Sequence, residues 1–277
     1  MMIVPGAYDV LSAKLAQRAG FPAVVLSGYA MSASMLGEPD FGLLTQTEVL
    51  DVARRVCLAT DLAVIVDGDT GYGGPLNVER LVRELLRMGA KGVLLEDQQW
   101  PKRCGHMQHK SVIPAEEHAE KIRMAVDTRG DGLLAITART DAIATAGLDE
   151  AIRRAKLYKE AGADVLFVEG PQSKDDLRRI GAELPAPLAV NLIEGGQTPM
   201  ATLEELHELG FFSVGYVLSP LYSVAKALER VYGHLRQYAE TASLADSMLN
   251  FEEFADVIGL EQRYAKDAKY KPKPASQ

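Results

Sequence analysis

Leu85-Leu86-Arg87-Met88-Gly89-Ala90-Lys91-Gly92-Val93-Leu94-Leu95-Glu96-Asp97-Gln98 carries the last turns of a helix, a glycine, an apolar run and an acidic end. Glycine just past a helix supplies the left-handed residue that turns the chain back. An apolar run without polar alternation reads as a strand buried on both faces. The same order recurs at Leu15 to Gly20 before Ala23-Val24-Val25-Leu26, at Tyr158 to Gly162 before Asp164-Val165-Leu166-Phe167, and at Leu206 to Gly210 before Ser213-Val214. Helix, tight turn and buried parallel strand form the repeating unit of an α/β fold.

Further apolar runs at Ile3-Val4, Ala63-Val64-Ile65-Val66, Leu133-Leu134-Ala135-Ile136 and Pro187-Leu188-Ala189-Val190 alternate with amphipathic helical stretches. Eight such units in 277 residues predict a TIM (β/α)8 barrel rather than an open doubly wound sheet, which normally uses fewer strands. No composition shift or Pro/Gly/Ser-rich linker interrupts the chain before residue 240, so residues 1–240 read as one barrel domain. Leu221 to Tyr238 reads as a long helix, and Phe251 to Tyr264 as one or two more within a C-terminal helical extension, 241–268. There Phe251, Phe254, Val257, Ile258 and Leu260 need an apolar partner, on the barrel or on another subunit. The Lys- and Pro-rich residues 269–277 are expected to be disordered.

Hydrophobic content of 47% and charged content of 25% suit a globular protein with a large core. The net charge of −8 argues against nucleic acid, whose phosphates need a concentrated basic surface. Small anions remain eligible where cations cluster locally. Two cysteines cannot build a disulfide framework, and Cys57, on a helical pattern, reads as buried filler. The opening Met1-Met2-Ile3-Val4-Pro5-Gly6 shows no charged region before an apolar stretch of signal length, and no apolar run reaches the ~18 residues of a membrane helix. A cytoplasmic protein with no membrane partner is expected.

In a barrel the active site is built at the C-terminal ends of the strands. Here those ends are Ser27-Gly28-Tyr29, Asp67-Gly68-Asp69, Glu96-Asp97, Arg139-Thr140-Asp141, Glu169 and Asn191. Asp67 and Asp69, two apart on a chain read as extended, should point to one side. With Glu96 they offer hard oxygen ligands suited to Mg²⁺, with Mn²⁺ as a substitute. Arg139 follows an apolar run and needs an anion: either a substrate carboxylate held by both guanidinium nitrogens, or an internal partner, Asp141 or Glu169. The glycine of Ser27-Gly28 lets backbone N–H groups approach a substrate oxygen. Asp40, in the loop from Met35 to Leu43, reads equally as a site acid or a turn residue. His109, His118, His207 and His234 have no partners at ligand spacing and read as surface residues.

Lys102-Arg103-Cys104-Gly105-His106 places a thiol between two cations on one side and a glycine and imidazole on the other. Cationic neighbours favour the thiolate, so Cys104 should ionise more readily than a free cysteine.

Together, Pro5-Gly6-Ala7-Tyr8-Asp9, Ser32-Ala33-Ser34 with Gly37-x-Pro39-Asp40, Asp67-x-Asp69-x-Gly71-Tyr72-Gly73, Glu96-Asp97-Gln98, Pro101 to His106, Ala138 to Ala142 and Glu194-Gly195-Gly196-x-Thr198-Pro199 resemble the isocitrate lyase and phosphoenolpyruvate mutase superfamily. The resemblance implies a Mg²⁺-dependent barrel enzyme acting on a small carboxylate, often a homotetramer that exchanges terminal helices. It implies metal-site roles for Asp67, Asp69 and Glu96, and a cradle for a pyruvate-like product at Ser27 and Gly28. Arg139 becomes a carboxylate binder, Glu169 and Asn191 pocket residues, and Cys104 the proton donor on a mobile loop. Lys102, Arg103 and His106 would neutralise charge on the departing fragment. Gly105, Tyr29 and Asp40 complete the substrate-side candidates, Tyr29 standing where relatives often carry a smaller residue.

The implied reaction is carbon–carbon cleavage of a methylisocitrate- or dimethylmalate-like 2-hydroxy acid to a 2-oxo acid. The alternative is phosphorus–carbon chemistry of the phosphonomutase kind, because the same loop serves both. A thiol that donates a proton must not be mostly thiolate, so loop closure over an anionic substrate is expected to raise its pKa.

Overall fold

The computed structural model describes residues 1–185 and 187–271. Strands β1 (Met2–Ala7), β2 (Ala23–Leu26), β3 (Ala63–Asp67), β4 (Gly92–Glu96), β5 (Ala135–Thr140), β6 (Val165–Val168), β7 (Leu188–Asn191) and β8 (Phe211–Tyr216) pair in parallel in chain order. β8 then pairs with β1, so the sheet is a closed barrel and the open-sheet alternative falls. The opening stretch behaves as read: helix Pro75–Met88 ends at Gly89, φ 84°, and the Gly89 N–H returns to the carbonyls of Leu85 and Leu86.

The strands are buried asymmetrically. Val24, Leu26, Val64, Val66, Val93 and Leu95 are fully buried in the core shared with the helices. Each such side chain contributes about 1.5–3 kcal/mol of burial. The intervening Val25, Ile65 and Leu94 face the barrel lumen and are only half-buried. Small residues below them, among them Ala23, Ala63, Gly92 and Ala135, leave a lumen cavity of about 210 Å³. The core of this protein therefore sits outside the sheet.

Two compact units divide at Tyr222/Ser223, inside helix Ser219–Tyr238, earlier than the composition suggests. Taken by itself, the second unit contains a 3-10 turn, Ala242–Ser247, and helices Phe251–Ile258 and Leu260–Tyr270. Asn250 caps the first of these through the Glu253 N–H, and Gly259, φ 75°, separates the two. Lys269 and Tyr270 thus continue a helix, contrary to the expected disorder from residue 269. The rest of that call, 272–277, lies outside the described residues. Among the described residues no helix is long and apolar enough to cross a membrane.

Candidate active site

Ser27 follows β2 and caps helix Gly28–Leu36, its hydroxyl accepting the Ala30 N–H. The Gly28 N–H donates to Asp67 Oδ2 at 3.1 Å. A Cβ on Gly28 would stand 3.0 Å from Asp67 Oδ2 and 3.2 Å from Asp69 Oδ1, so glycine sits where two acids converge. They do not converge by strand alternation. β3 ends at Asp67, and Asp69 is left-handed at φ 48°, its N–H donating back to Asp67 Oδ1 at 3.2 Å. A turn brings the carboxylates together where an extended chain was expected.

Lys102 is buried between Asp40 and Asp69, with Nζ 2.6 Å from Asp40 Oδ2 and 2.5 Å from Asp69 Oδ1. Asp40 is therefore a buried partner of Lys102 that lines the pocket, and not a solvated turn residue. Burial opposes the lysine's charge, but Asp69, Glu96 and Asp40 outweigh it and hold its pKa well above the ordinary value. Burial pushes Asp69 up to about 7 despite Lys102, and raises Glu96 as well. Glu96 Oε1 is buried without a hydrogen-bond partner, while Oε2 lies 3.1 Å from Arg139 Nη1. Among the described residues Asp67, Asp69 and Glu96 do not form a ready three-ligand cage, since Lys102 takes one side of Asp69. Two acids converging on Gly28 and an orphaned Glu96 oxygen still fit a small divalent cation that keeps part of its water shell.

The Arg139 guanidinium engages Asp141 twice, Nε to Oδ2 at 2.8 Å and Nη2 to Oδ1 at 3.0 Å. It also lies 3.5 Å from Glu169, over the Phe167 ring, and lines the pocket. The internal ion pair exists, on a residue that still faces the ligand space. Asp141 is held down to about 2: burial opposes, and Arg139 and Lys110 prevail. Lys110 is a tie that the sequence reading missed. Its buried ammonium lies 2.9 Å from Asp141 Oδ1 and donates to the Gly105 carbonyl, anchoring the cysteine loop. Its adjacency to that loop was the one available signal.

The loop lies tightly on the site. A Cβ on Gly105 would come within 2.4 Å of Arg139 Nη2 and of Glu169 Cγ, so only glycine fits there. The Cys104 N–H donates to the Asp40 carbonyl at 3.1 Å. His106 Nδ1 accepts the Gln197 N–H at 2.8 Å, and Nε2 lies 3.2 Å from Glu169 Oε1. Arg103 turns outward, donating to the carbonyls of Gln108 and His109 and stacking over Phe41. Neither sequence neighbour brings its charge to the thiol, because Lys102 is taken by Asp40 and Asp69 and Arg103 by backbone carbonyls. Burial pushes Cys104 up to about 12. The expectation of an easily ionised cysteine is overturned, and no substrate is needed to keep the thiol protonated.

Ser27, Tyr29, Asp40, Asp67, Cys104, Gly105, His106, Arg139, Glu169 and Asn191 line one pocket at the C-terminal mouth. Gly28, Asp69, Glu96 and Lys102 are not among its lining residues and instead contact those that are, while Arg103 is turned away. Sequence reading passed over the apolar lining, Val25, Leu94, Ile193, Val217 and Leu218. It also passed over a support beneath the site, where Asp97 accepts from Thr140 Oγ1, the Asp141 N–H, Tyr158 Oη and Arg154 Nη1 at 2.7–3.0 Å.

His118, read as a surface residue, is buried on helix Ala115–Arg129 with its ring edge-on to Tyr158. Burial first, then the nearby Lys121, lowers its pKa to about 3. The folded state holds the neutral ring, whereas the unfolded chain takes up a proton near pH 6.5. This part of the stability is complete above pH 6.5 and is lost as pH falls from there toward 3. At pH 5 the loss should be about 2 kcal/mol by urea unfolding. His118→Phe should remove that part of the pH slope, and an unaltered slope would refute the assignment.

Residues 1–236 match the family model described as phosphoenolpyruvate phosphomutase. The chain is 50% identical over 271 residues to the petal death protein of Dianthus caryophyllus, covering 98% of this chain and 85% of that protein. It is 43% identical over 262 residues to 2,3-dimethylmalate lyase of Eubacterium barkeri, covering 95% of this chain and 91% of the lyase. The solved structure of oxaloacetate acetylhydrolase with 3,3-difluorooxalacetate superposes with a TM-score of 0.93 at 33% identity, covering 99% of this chain and 93% of that one. A closed barrel with acids, an arginine and a cysteine loop at one mouth, matched over nearly the whole chain, makes this protein an enzyme of the phosphoenolpyruvate phosphomutase family, within the isocitrate lyase/PEP mutase superfamily of lyases and mutases.

Proposed function

We propose that the enzyme is a carbon–carbon lyase that splits a 2-hydroxy di- or tricarboxylate, of methylisocitrate or dimethylmalate type, into a 2-oxo acid such as pyruvate and a second carboxylate. The observation that carries this reading is a protonated thiol, Cys104, lining a pocket that also presents Arg139. A base takes the proton of the 2-hydroxyl, the oxygen becomes a carbonyl and the C2–C3 electron pair moves onto C3. That carbon needs a proton, and Cys104 Sγ supplies it as a general acid. Arg139 holds a substrate carboxylate, Ser27 faces the product oxygen while the Gly28 N–H keeps the Asp67 carboxylate in place, and Tyr29, Asn191 and Glu169 orient the remainder. His106 keeps Glu169 in place. A phosphoryl shift within one substrate leaves no carbanion to protonate, so the thiol favours the lyase over a mutase. Hydrolysis of a phosphonopyruvate would leave a pyruvate enolate that takes the same proton, and phosphorus NMR separates it from the lyase.

Asp67, Asp69 and Glu96 would hold Mg²⁺, or Mn²⁺ in its place. A divalent cation bound there supplies Lewis-acid stabilisation to the developing carbonyl oxygen. At 100 times its Kd such an ion should stabilise the fold by about 2.7 kcal/mol. A rise in melting temperature with MgCl₂ that disappears in Asp67→Asn is the expected result, and no rise in the wild type removes the metal from the scheme. Assembly as a homotetramer that exchanges C-terminal helices belongs to the same reading. Exposed Phe251, Phe254 and Ile258 on helix Phe251–Ile258 support it, and light scattering in solution tests it.

Turnover is tested on a panel of 2-hydroxy di- and tricarboxylates with and without Mg²⁺, read by mass spectrometry, beside phosphonopyruvate read by phosphorus NMR. Release of a 2-oxo acid from the panel supports the lyase. Conversion of phosphonopyruvate alone replaces it with the phosphorus–carbon alternative.

A further inference from the structure

The polar side of the pocket is used by the chemistry above, and its apolar side has no assigned role. Val25, Leu94 and Asn191 line the catalytic pocket and also line the lumen cavity, so one layer of side chains separates the two spaces. The spaces are unequal: about 60 Å³ for the pocket and about 210 Å³ for the cavity. The lumen-facing residues of the strands explain this. The order from bottom to mouth is Ala23, Val25 and then Ser27 on β2, and Gly92, Leu94 and then Glu96 on β4. β3 repeats it with Ala63, Ile65 and Asp67. On these three strands the bottom residue is small, the middle one is branched and the top one is polar. A (β/α)8 barrel ordinarily fills its lumen with packed layers. Here the lowest residues of β2 to β5 contribute little volume, Met2, Val165 and Phe212 lining the rest, and roughly 150 Å³ of apolar space is enough to hold a benzene-sized molecule.

We infer that Val25 and Leu94 form a partition that limits the alkyl substituent of the substrate, and that the cavity beneath is reserve volume the wild-type enzyme does not use. The inference rests on the carbon–carbon lyase reading for its substrate class. Arg139 and the Asp67 corner hold the charged ends of a short diacid at the mouth, which leaves its apolar remainder toward Val25 and Leu94. A substituent that entered the cavity would gain about fourfold in affinity per buried methylene. In the wild type the branched layer stops it after a short chain.

The test titrates pyruvate, 2-oxobutyrate, 2-oxopentanoate and 2-oxohexanoate, with Mg²⁺, into the full chain by calorimetry, for wild type, Val25→Ala and Leu94→Ala. Wild-type affinity should fall beyond 2-oxobutyrate. Each variant should shift the ratio of 2-oxopentanoate to pyruvate affinity by about tenfold toward the longer acid. Refilling the cavity with Ala135→Leu on the Val25→Ala background should abolish the gain. Val25→Ala removes only two methyl groups, so it keeps the test open if Leu94→Ala fails to fold, as circular dichroism will report. An unchanged chain-length preference in a folded variant overturns the partition. So does a gain that survives refilling, or a wild type that binds none of the four acids. Binding is read apart from turnover, so a wild type that cleaves no 2-hydroxy acid while Val25→Ala shifts the preference would sink the lyase reading and leave the partition standing.

Discussion

Cys104→Ser should lower kcat by about 10²–10⁴, the range a positioned general acid supplies, and Cys104→Ala should lose at least as much. The serine hydroxyl occupies nearly the same volume but is a far weaker acid than a thiol, so the loss should fall on kcat. The affinity for 2-oxo acids and the thermal shift with Mg²⁺ should stay within a few-fold of wild type, because no contact in the metal corner passes through the sulfur. A thiol held at about 12 also stays protonated across the working range. The wild-type rate should therefore show no alkaline fall from this group up to about pH 10. Near-wild-type turnover in Cys104→Ser would remove the acid role.

Lys102→Met should destabilise the fold by about 3–5 kcal/mol, since it leaves two buried carboxylates, Asp40 and Asp69, without their shared cation. For a chain of this size that is a fall in melting temperature of roughly 6–20 °C. Methionine keeps most of the side-chain volume, so the loss reports charge more than packing. Adding Asp69→Asn should recover part of it, because the second substitution removes one of the stranded charges, and the coupling can be read from a double-mutant cycle in chelator. A single variant within about 1 kcal/mol of wild type would mean that the lysine is not what neutralises this corner.

The barrel was readable because helix, glycine and apolar strand are local signals, and the six strand ends singled out each named a residue that lines the mouth or contacts one that does. The errors share a different origin. The charge state of Cys104 depends on where Lys102 and Arg103 turn, and Lys102 turns to Asp40, 62 positions away in the chain. His118 looked like a helix-surface residue because nothing in its neighbourhood reveals that its face packs on Tyr158. Asp67 and Asp69 were placed together correctly for a wrong reason, since a left-handed turn did what strand alternation was expected to do. The apolar lining was invisible as a site because Val25 and Leu94 look like any other strand residues until the lumen beneath them proves hollow.

That hollow separates two demands which in most proteins compete at the same positions. Along β2, β3 and β4 alternate residues meet different demands: Val24, Leu26, Val64, Val66, Val93 and Leu95 hold the barrel against its helices, while Ala23, Val25, Ala63, Ile65, Gly92 and Leu94 line the lumen. Exchanges among the branched members of the second set, Val25, Ile65 and Leu94, therefore draw less on the packing that holds the barrel together than exchanges in the first set do.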